Sequence, residues 1–197
     1  MQRDMILAKL GGIMPPSRLE HTLGVEISAL SIAQVVGEDA DTVSLAALLH
    51  DCAKCLSMPD MLRLIDGGGM PIDRITRDNR SLLHAPAGAV LARDEYNVTD
   101  PRIIEAIRWH TTGRANIGRL GALIYLADVV EPYREDYPGL GAVRDSMGGD
   151  LNHALLLAVR DTIEYVRGRQ KPIHPDSLAL RDWLEAGGRP FDGQIME

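Results

Sequence analysis

The stretch LLHDCAK, residues 48–54, reads as an apolar helix into which an adjacent histidine and aspartate have been set. Leu48 and Leu49 belong in a core, as do Ala46 and Ala47 just before them. His50 and Asp51 then arrive together, and buried polar groups cost free energy unless a partner satisfies them. That partner is either a hydrogen-bonding group or a metal ion. Neighbouring residues on an α-helix point about 100° apart. His50 and Asp51 therefore cannot lie parallel, but an ion seated between their side chains can take both.

Outward from this stretch the pattern is helical nearly throughout. After Pro15-Pro16, Ser17 is expected to cap a helix with Leu19, Leu23, Ile27 and Leu30 on one stripe. A second stripe runs through His21, Val25, Ala29, Ile32 and Val36, which makes this helix central and aims His21 inward. Gly37 ends it, and the next helix is expected from about Asp39 to Lys54, closing near Pro59. GGGMP (67–71) reads as a loop, and Pro86 suits the first turn of a helix with His84 at its entrance. Asp100-Pro101 opens another, on which Ile103, Ile107 and His110 share a face before Gly113. Residues 117–131 read as a strongly apolar helix with a single acid, Asp128, ahead of the Glu131-Pro132 stop. Leu155, Val159, Ile163 and Val166 mark a later amphipathic helix; a short one follows Pro175, positioned by His174, while His153 is expected at the surface. With no convincing strand, repeat or linker, the expected architecture is one all-α domain over 1–186, with GGRPFDGQIME (187–197) as a loose tail.

At 197 residues and 45% hydrophobic, the chain is long enough to fill one core. No apolar run approaches the roughly 20 residues needed to span a bilayer. MQRDMILAKLGG at the start lacks the apolar stretch of a signal peptide, so the cytoplasm is expected and a membrane is not. Cys52 and Cys55 have CxxC spacing, but no βαβ context favours a redox pair and no second Cys/His pair favours zinc. They read as two small core residues on a helix. A net charge of −7 argues against a nucleic-acid surface, and 4% aromatics are few for stacking on bases, so base recognition is expected to be shallow. An anionic small substrate stays open, because a metal or an arginine cluster can reverse the local field.

His21, His50, Asp51, His84, His110 and Asp128 come from five helical segments and fall on inward faces or helix ends. Any one of them alone reads as a hydrogen-bonded core residue. Together they form a set of imidazoles and carboxylates suited to zinc, iron or manganese.

Their order, H…HD…D on helices, resembles the HD-domain superfamily of metal-dependent phosphohydrolases. More narrowly, RLEHTLGV (18–25), LLHDCAK (48–54), LLHAPAGA (82–89), IRWHTTGR (107–114), IYLADVVEPYR (124–134) and IHPDSLALR (173–181) are similar to the YqeK family. The similarity runs from about Arg18 to Trp183; Val129 departs from it, standing where an aromatic often follows the LAD acid. It implies an HD-domain helical bundle in which His21, His50, Asp51 and Asp128 hold a core metal. His84 and His110 would complete a second site, with Asp51 as the bridge. The implied cofactor is a divalent transition metal, dinuclear, iron first and manganese, cobalt or zinc as alternatives. The implied activity is symmetrical hydrolysis of bis(5′-nucleosyl) tetraphosphates, chiefly diadenosine tetraphosphate to two ADP, by metal-activated hydroxide.

Within that reading Asp51, Asp128 and Lys54 are the catalytic candidates. Lys54 follows Asp51 by three residues, hence on the same helix side, and is assigned to a phosphate. Arg18, one turn before His21, Arg114, in the loop after His110 with Thr111, Thr112 and Gly113, and Arg134 are further phosphate candidates. The expected partner is a small nucleotide, not a nucleic acid or membrane, with a homodimer left open. Two rivals stand beside this: an HD phosphohydrolase for another nucleotide, and a nucleotide-binding regulatory module with negligible turnover. The lack of a GYP sequence weighs against a cyclic-dinucleotide enzyme, and the presence of all six ligand candidates weighs against the second rival.

Overall fold

A computed structural model describes residues 3–191, and in that range every regular element is a helix. In chain order these are α1 (Arg3–Ile13), α2 (Pro16–Val36), α3 (Ala40–Leu49), α4 (Met58–Gly67), α5 (Arg74–Arg77) and α6 (Arg80–Asp94). They are followed by α7 (Pro101–Trp109), α8 (Arg119–Val130), α9 (Leu140–Ser146), α10 (Leu151–Gly168) and α11 (Pro175–Glu185). None is long and apolar enough to cross a membrane.

The centre of the bundle is α8, on which every residue from Leu120 to Ala127 is buried. It packs on α2, α7 and α10, while α2 packs on α3 and α6 on α7. Leu48, Leu49, Ile107, Leu123, Ile124 and Leu126 are fully buried in the shared core, each contributing about 1.5–3 kcal/mol by leaving water. The expectation that α2 is central holds for one stripe only. Val25, Ala29, Ile32 and Val36 are buried, whereas Ile27 on the other stripe is 54% exposed.

Local chemistry explains where the helices start and stop, and corrects several expectations. Pro15 occupies the N-cap of α2 with Pro16 inside, so Ser17 is in the first turn and caps nothing. Gly37 closes the helix at φ 68°, donating its N–H to the Ala33 carbonyl. Asp39 caps α3 by accepting from the Thr42 N–H, but α3 stops at Leu49. Residues 50–54 form tight turns closed by bonds from Cys52 N to Leu49 O (3.1 Å) and from Lys54 N to Asp51 O (2.9 Å). Pro59 opens α4 behind the Ser57 cap instead of closing a helix. Pro86 lies inside α6, which starts at Asn79-Arg80, so His84 is in the body of that helix and not at its entrance. Helices α1, α4, α5 and α9 were not foreseen. Cys52 is buried, but Cys55 is exposed and outside any helix, contrary to a core pair. The 187–197 segment is not loose throughout: Phe191 is 1% exposed and its N–H reaches Asn152 Oδ1 at 3.2 Å. Residues 192–197 lie outside the described range.

One close approach positions the site. A Cβ on Gly88 of α6 would come within 3.3 Å of Ile107, 3.5 Å of Cys52 Sγ and 3.6 Å of the His50 carbonyl. Glycine there lets α6, and with it His84, press against the turn that carries His50 and Asp51.

Candidate metal centre

His50 and His110 are placed by the same device. Each is the C-cap of its helix, α3 or α7, and each directs Nδ1 at the carbonyl three residues back. The distances are 2.7 Å to Ala47 O and 2.8 Å to Ile107 O. An imidazole that donates from Nδ1 presents a lone pair on Nε2. Both Nε2 atoms therefore face the space where α2, α3, α7 and α8 meet. Burial pushes the His50 pKa down to about 4, so the ring is a neutral donor of that lone pair.

Asp51 is 2% exposed and lies between two groups of imidazoles. Its Oδ2 is 3.7 Å from His50 Nε2 and 3.9 Å from His21 Nε2. Its Oδ1 is 3.0 Å from His84 Nε2 and 3.5 Å from His110 Nε2. Burial opposes its charge, but the imidazoles of His50, His110 and His84 hold its carboxyl well below the usual carboxylate range. His84, 3.0 Å from His110 between Nε2 atoms, is itself driven by burial to a pKa of about 4. On the other side His21 Nε2 is 3.2 Å from Asp128 Oδ1. Asp128 sits well below the ordinary range: burial opposes its ionisation, and His21 and Arg134 outweigh that. Burial likewise opposes a charged His21 ring, and the Asp128 and Glu131 carboxylates reverse the sign, raising its pKa.

The donor set fits a divalent cation. His21/His50/Asp51, His50/His110/Asp128 and Asp51/His84/His110 each offer ligand atoms within 4.8 Å of one another. His50 Nε2, Asp51 Oδ1 and His84 Nδ1 are buried without a hydrogen bond. Each such orphan costs about 1–3 kcal/mol, and for the first two, which face the centre, a cation would remove that cost.

Glu131 is the residue that the sequence reading passed over as a mere stop. It is 2% exposed, accepts from the Tyr133 N–H at 2.7 Å and meets His21 Nδ1 at 3.0 Å. A carboxylate on the far nitrogen fixes the tautomer and orientation of a ligand histidine. Gly24, three residues after His21, makes room for it: a Cβ there would lie 2.5 Å from Glu131 Oε2.

A cleft of about 860 Å³ opens onto the cluster, lined among others by Arg18, His21, Asp51, Lys54, Thr111 and Arg134. Arg18 Nη1 reaches Asp51 Oδ2 at 2.9 Å, and Lys54 Nζ reaches Asp51 Oδ1 at 3.5 Å and His84 Nε2 at 3.0 Å. Arg134 donates to Asp128 Oδ1 at 2.6 Å and to the Asp128 carbonyl. The loop after His110 divides. Thr111 lines the cleft, but Thr112 is buried and accepts on its carbonyl from Ser177 Oγ at 2.8 Å. Gly113, at φ 62°, lies so close to α11 that a Cβ would overlap Leu180. Arg114 turns away from the cleft to Glu105 (3.1 Å) and lies over the Trp109 ring at 5.6 Å. Thr112, Gly113 and Arg114 thus sit apart from the substrate-binding place assigned to them, because the backbone turn docks on α11.

Residues 18–133 match the HD domain family. The chain is 35% identical over 187 residues to a symmetrical bis(5′-nucleosyl)-tetraphosphatase of Bacillus subtilis, covering 95% of this chain and 100% of that one. It is 37% identical to the protein of the same name from Halalkalibacterium halodurans, over 93% and 97% of the two chains. A crystal structure from Clostridium acetobutylicum, described as a predicted HD superfamily hydrolase involved in NAD metabolism, superposes with a TM-score of 0.90 at 32% identity. That match covers 95% of this chain and 99% of the other.

Proposed function

Because the chain belongs to the HD-domain family of metal-dependent phosphohydrolases, and within it to the symmetrical tetraphosphatases, we propose that it splits diadenosine tetraphosphate into two ADP. The observation that carries this reading is the Asp51 carboxylate, whose two oxygens face two different pairs of imidazoles at the floor of the cleft. His21, His50, Asp51 and Asp128 would hold one cation, and His84, His110 and Asp51 a second, with iron the first ion to test. When bound, such ions supply Lewis acidity toward a phosphoryl group and a nucleophile at neutral pH.

The chain's own residues do the rest. Arg18 and Lys54 stand on the cleft side of Asp51, each about one-third exposed and paired with its carboxylate, and a phosphate oxygen entering the cleft would compete with Asp51 for them. Arg134 holds Asp128 and borders the same space, so it meets a second phosphate with a charge-assisted bond. The depressed basicity of Asp128 suits ligation and the orienting of water better than proton abstraction. In the symmetrical reaction water adds to one of the two central phosphorus atoms. The central P–O bridge then breaks and ADP departs as an anion that needs no strong acid.

Product analysis on metal-stripped and metal-reloaded protein tests the reading. ADP as sole product, formed only after a transition metal is restored, is the expected result. AMP plus ATP means attack at an outer phosphorus and overturns the symmetrical assignment; no turnover with any ion overturns the substrate.

A further inference from the structure

Two of the four residues assigned to the first cation, His21 and Asp128, are held from one short turn. Helix α8 breaks at Glu131, whose backbone is extended (φ −52°, ψ 146°) ahead of Pro132. Both oxygens of the Glu131 carboxylate are spent: Oε1 meets His21 Nδ1 at 3.0 Å, and Oε2 accepts from the Tyr133 N–H at 2.7 Å. Three residues on, Arg134 donates to Asp128 Oδ1 at 2.6 Å and to the Asp128 carbonyl. The aim of His21 and of Asp128 therefore depends on the conformation of residues 131–134. His84 and His110 are carried instead by α6 and the end of α7.

The turn closes on the Glu131 carbonyl, which accepts from the Arg134 N–H at 3.2 Å and from Arg144 Nη2 at 3.0 Å. Arg144 belongs to α9, and its Nη1 also reaches Asp136 Oδ1 at 3.1 Å. Asp136 is 89% exposed, so water competes for that second bond. The first is charge-assisted and ends on a buried residue. The root of Arg144 is fixed as well. Leu140 and Val143 of the same helix are fully buried, and a Cβ on Gly139, just before it, would overlap Asp161 of α10. Arg144 also lies beyond residues 18–133, the part of the chain that matches the HD domain family.

We propose that Arg144 is a positioning residue for the metal centre. By holding the Glu131 carbonyl it fixes the turn that aims His21 and Asp128. Its influence falls on the cation assigned to His21, His50, Asp51 and Asp128, and spares the one assigned to His84, His110 and Asp51. The assignment rests on the two-cation reading of the cluster.

Calorimetric titration of metal-stripped protein with manganese tests it without needing turnover. Arg144→Met keeps the aliphatic stem and removes the donors. It should weaken one of two binding steps about tenfold, the low end for outer partners of metal ligands, and leave the other as in wild type. Arg144→Ala should give the same shift, and Arg144→Lys, which keeps a charged donor, should recover most of it. Asp136→Asn should bind as wild type does; a matching loss there would route the effect through the exposed acid and overturn the proposal. His84→Ala sorts the two ions, since it should retain only the first. Adding Arg144→Met to it should weaken that remaining ion about tenfold. Unchanged affinity in the double variant, or equal weakening of both steps in Arg144→Met, overturns the positioning role. If wild type takes up a single ion, the two-cation reading falls, and Arg144 keeps its role only if Arg144→Met weakens that ion. If wild type takes up none, both fall.

Discussion

Two buried histidine clusters in this molecule look alike in composition and differ in bookkeeping of hydrogen bonds. His174 caps α11 and has both ring nitrogens engaged: Nδ1 accepts from the Asp176 N–H at 3.2 Å, and Nε2 donates to Asp73 Oδ2 at 2.8 Å. Thr76 completes that cluster by donating to the same carboxylate oxygen at 2.7 Å. His50 and His110 anchor one nitrogen on a carbonyl and turn the other toward Asp51 and further imidazoles. A satisfied histidine is an internal strut tying residues 73–76 to α11. A histidine with a free, buried lone pair facing a shared carboxylate is a ligand waiting on a cation. Nothing but partner geometry separates the two.

Breaking the ligand cluster should have the largest effect. His50→Ala or Asp51→Ala is expected to lower hydrolysis by at least about a hundredfold, the scale on which even outer partners of metal ligands act. Circular dichroism should show the helices retained. A divalent cation should raise the melting temperature of wild type and of His174→Ala, since binding to the folded state stabilises by about 2.7 kcal/mol at 100 times Kd. It should not do so for Asp51→Ala; an equal shift in that variant breaks the distinction.

Next in size, His84→Ala and His110→Ala should each lose one of two bound ions first, read as metal content per chain after reloading. Wild-type content in both would refute the second site. For the strut, His174→Ala should cost about 1–3 kcal/mol in urea unfolding, through a lost cap and an Asp73 oxygen left without its donor. Activity per folded molecule should not change; a loss comparable to His50→Ala would place His174 in the wrong class.

The smallest effect concerns pH. Burial opposes the Asp73 charge, but Thr76 and His174 hold its carboxyl well below the ordinary range in the folded protein. A depressed folded-state pKa means the stabilisation is present above the unfolded value near 4 and is lost as pH falls below it. Asp73→Asn should therefore show a shallower drop in urea midpoint than wild type between about pH 4 and pH 2. Parallel curves would show that the Asp73 bonds add nothing to folding.

Much of this was legible along the chain. The 3.6-residue period announced α2, α7, α8 and α10, and the dipeptides Asp100-Pro101 and His174-Pro175 gave two helix starts. The six ligand candidates converge: His21, His84 and Asp128 from within helices, and His50, Asp51 and His110 from the turns that end α3 and α7. Helices α1, α5 and α9 are short or weakly patterned, whereas α4 carries a clear apolar stripe through Met61 and Ile65 but was hidden by the helix stop expected at Pro59, which instead lies in its first turn. Composition does not show where the aromatics lie. Of eight in 197 residues, three tyrosines share one cleft.

What the sequence by itself determined is the set of atoms available, four imidazoles and two carboxylates, and the helical spacing that turns His21, His84 and Asp128 inward. What only tertiary structure decided is which of their lone pairs are spent. Whether Glu131 reaches His21, whether Arg18 reaches Asp51, and whether Arg114 faces the cleft or Glu105 depend on residues up to 110 positions apart. Periodicity fixes the direction of a side chain from its own helix. A hydrogen bond fixes its chemistry, and the partner comes from wherever the packed core brings another element within about 3 Å.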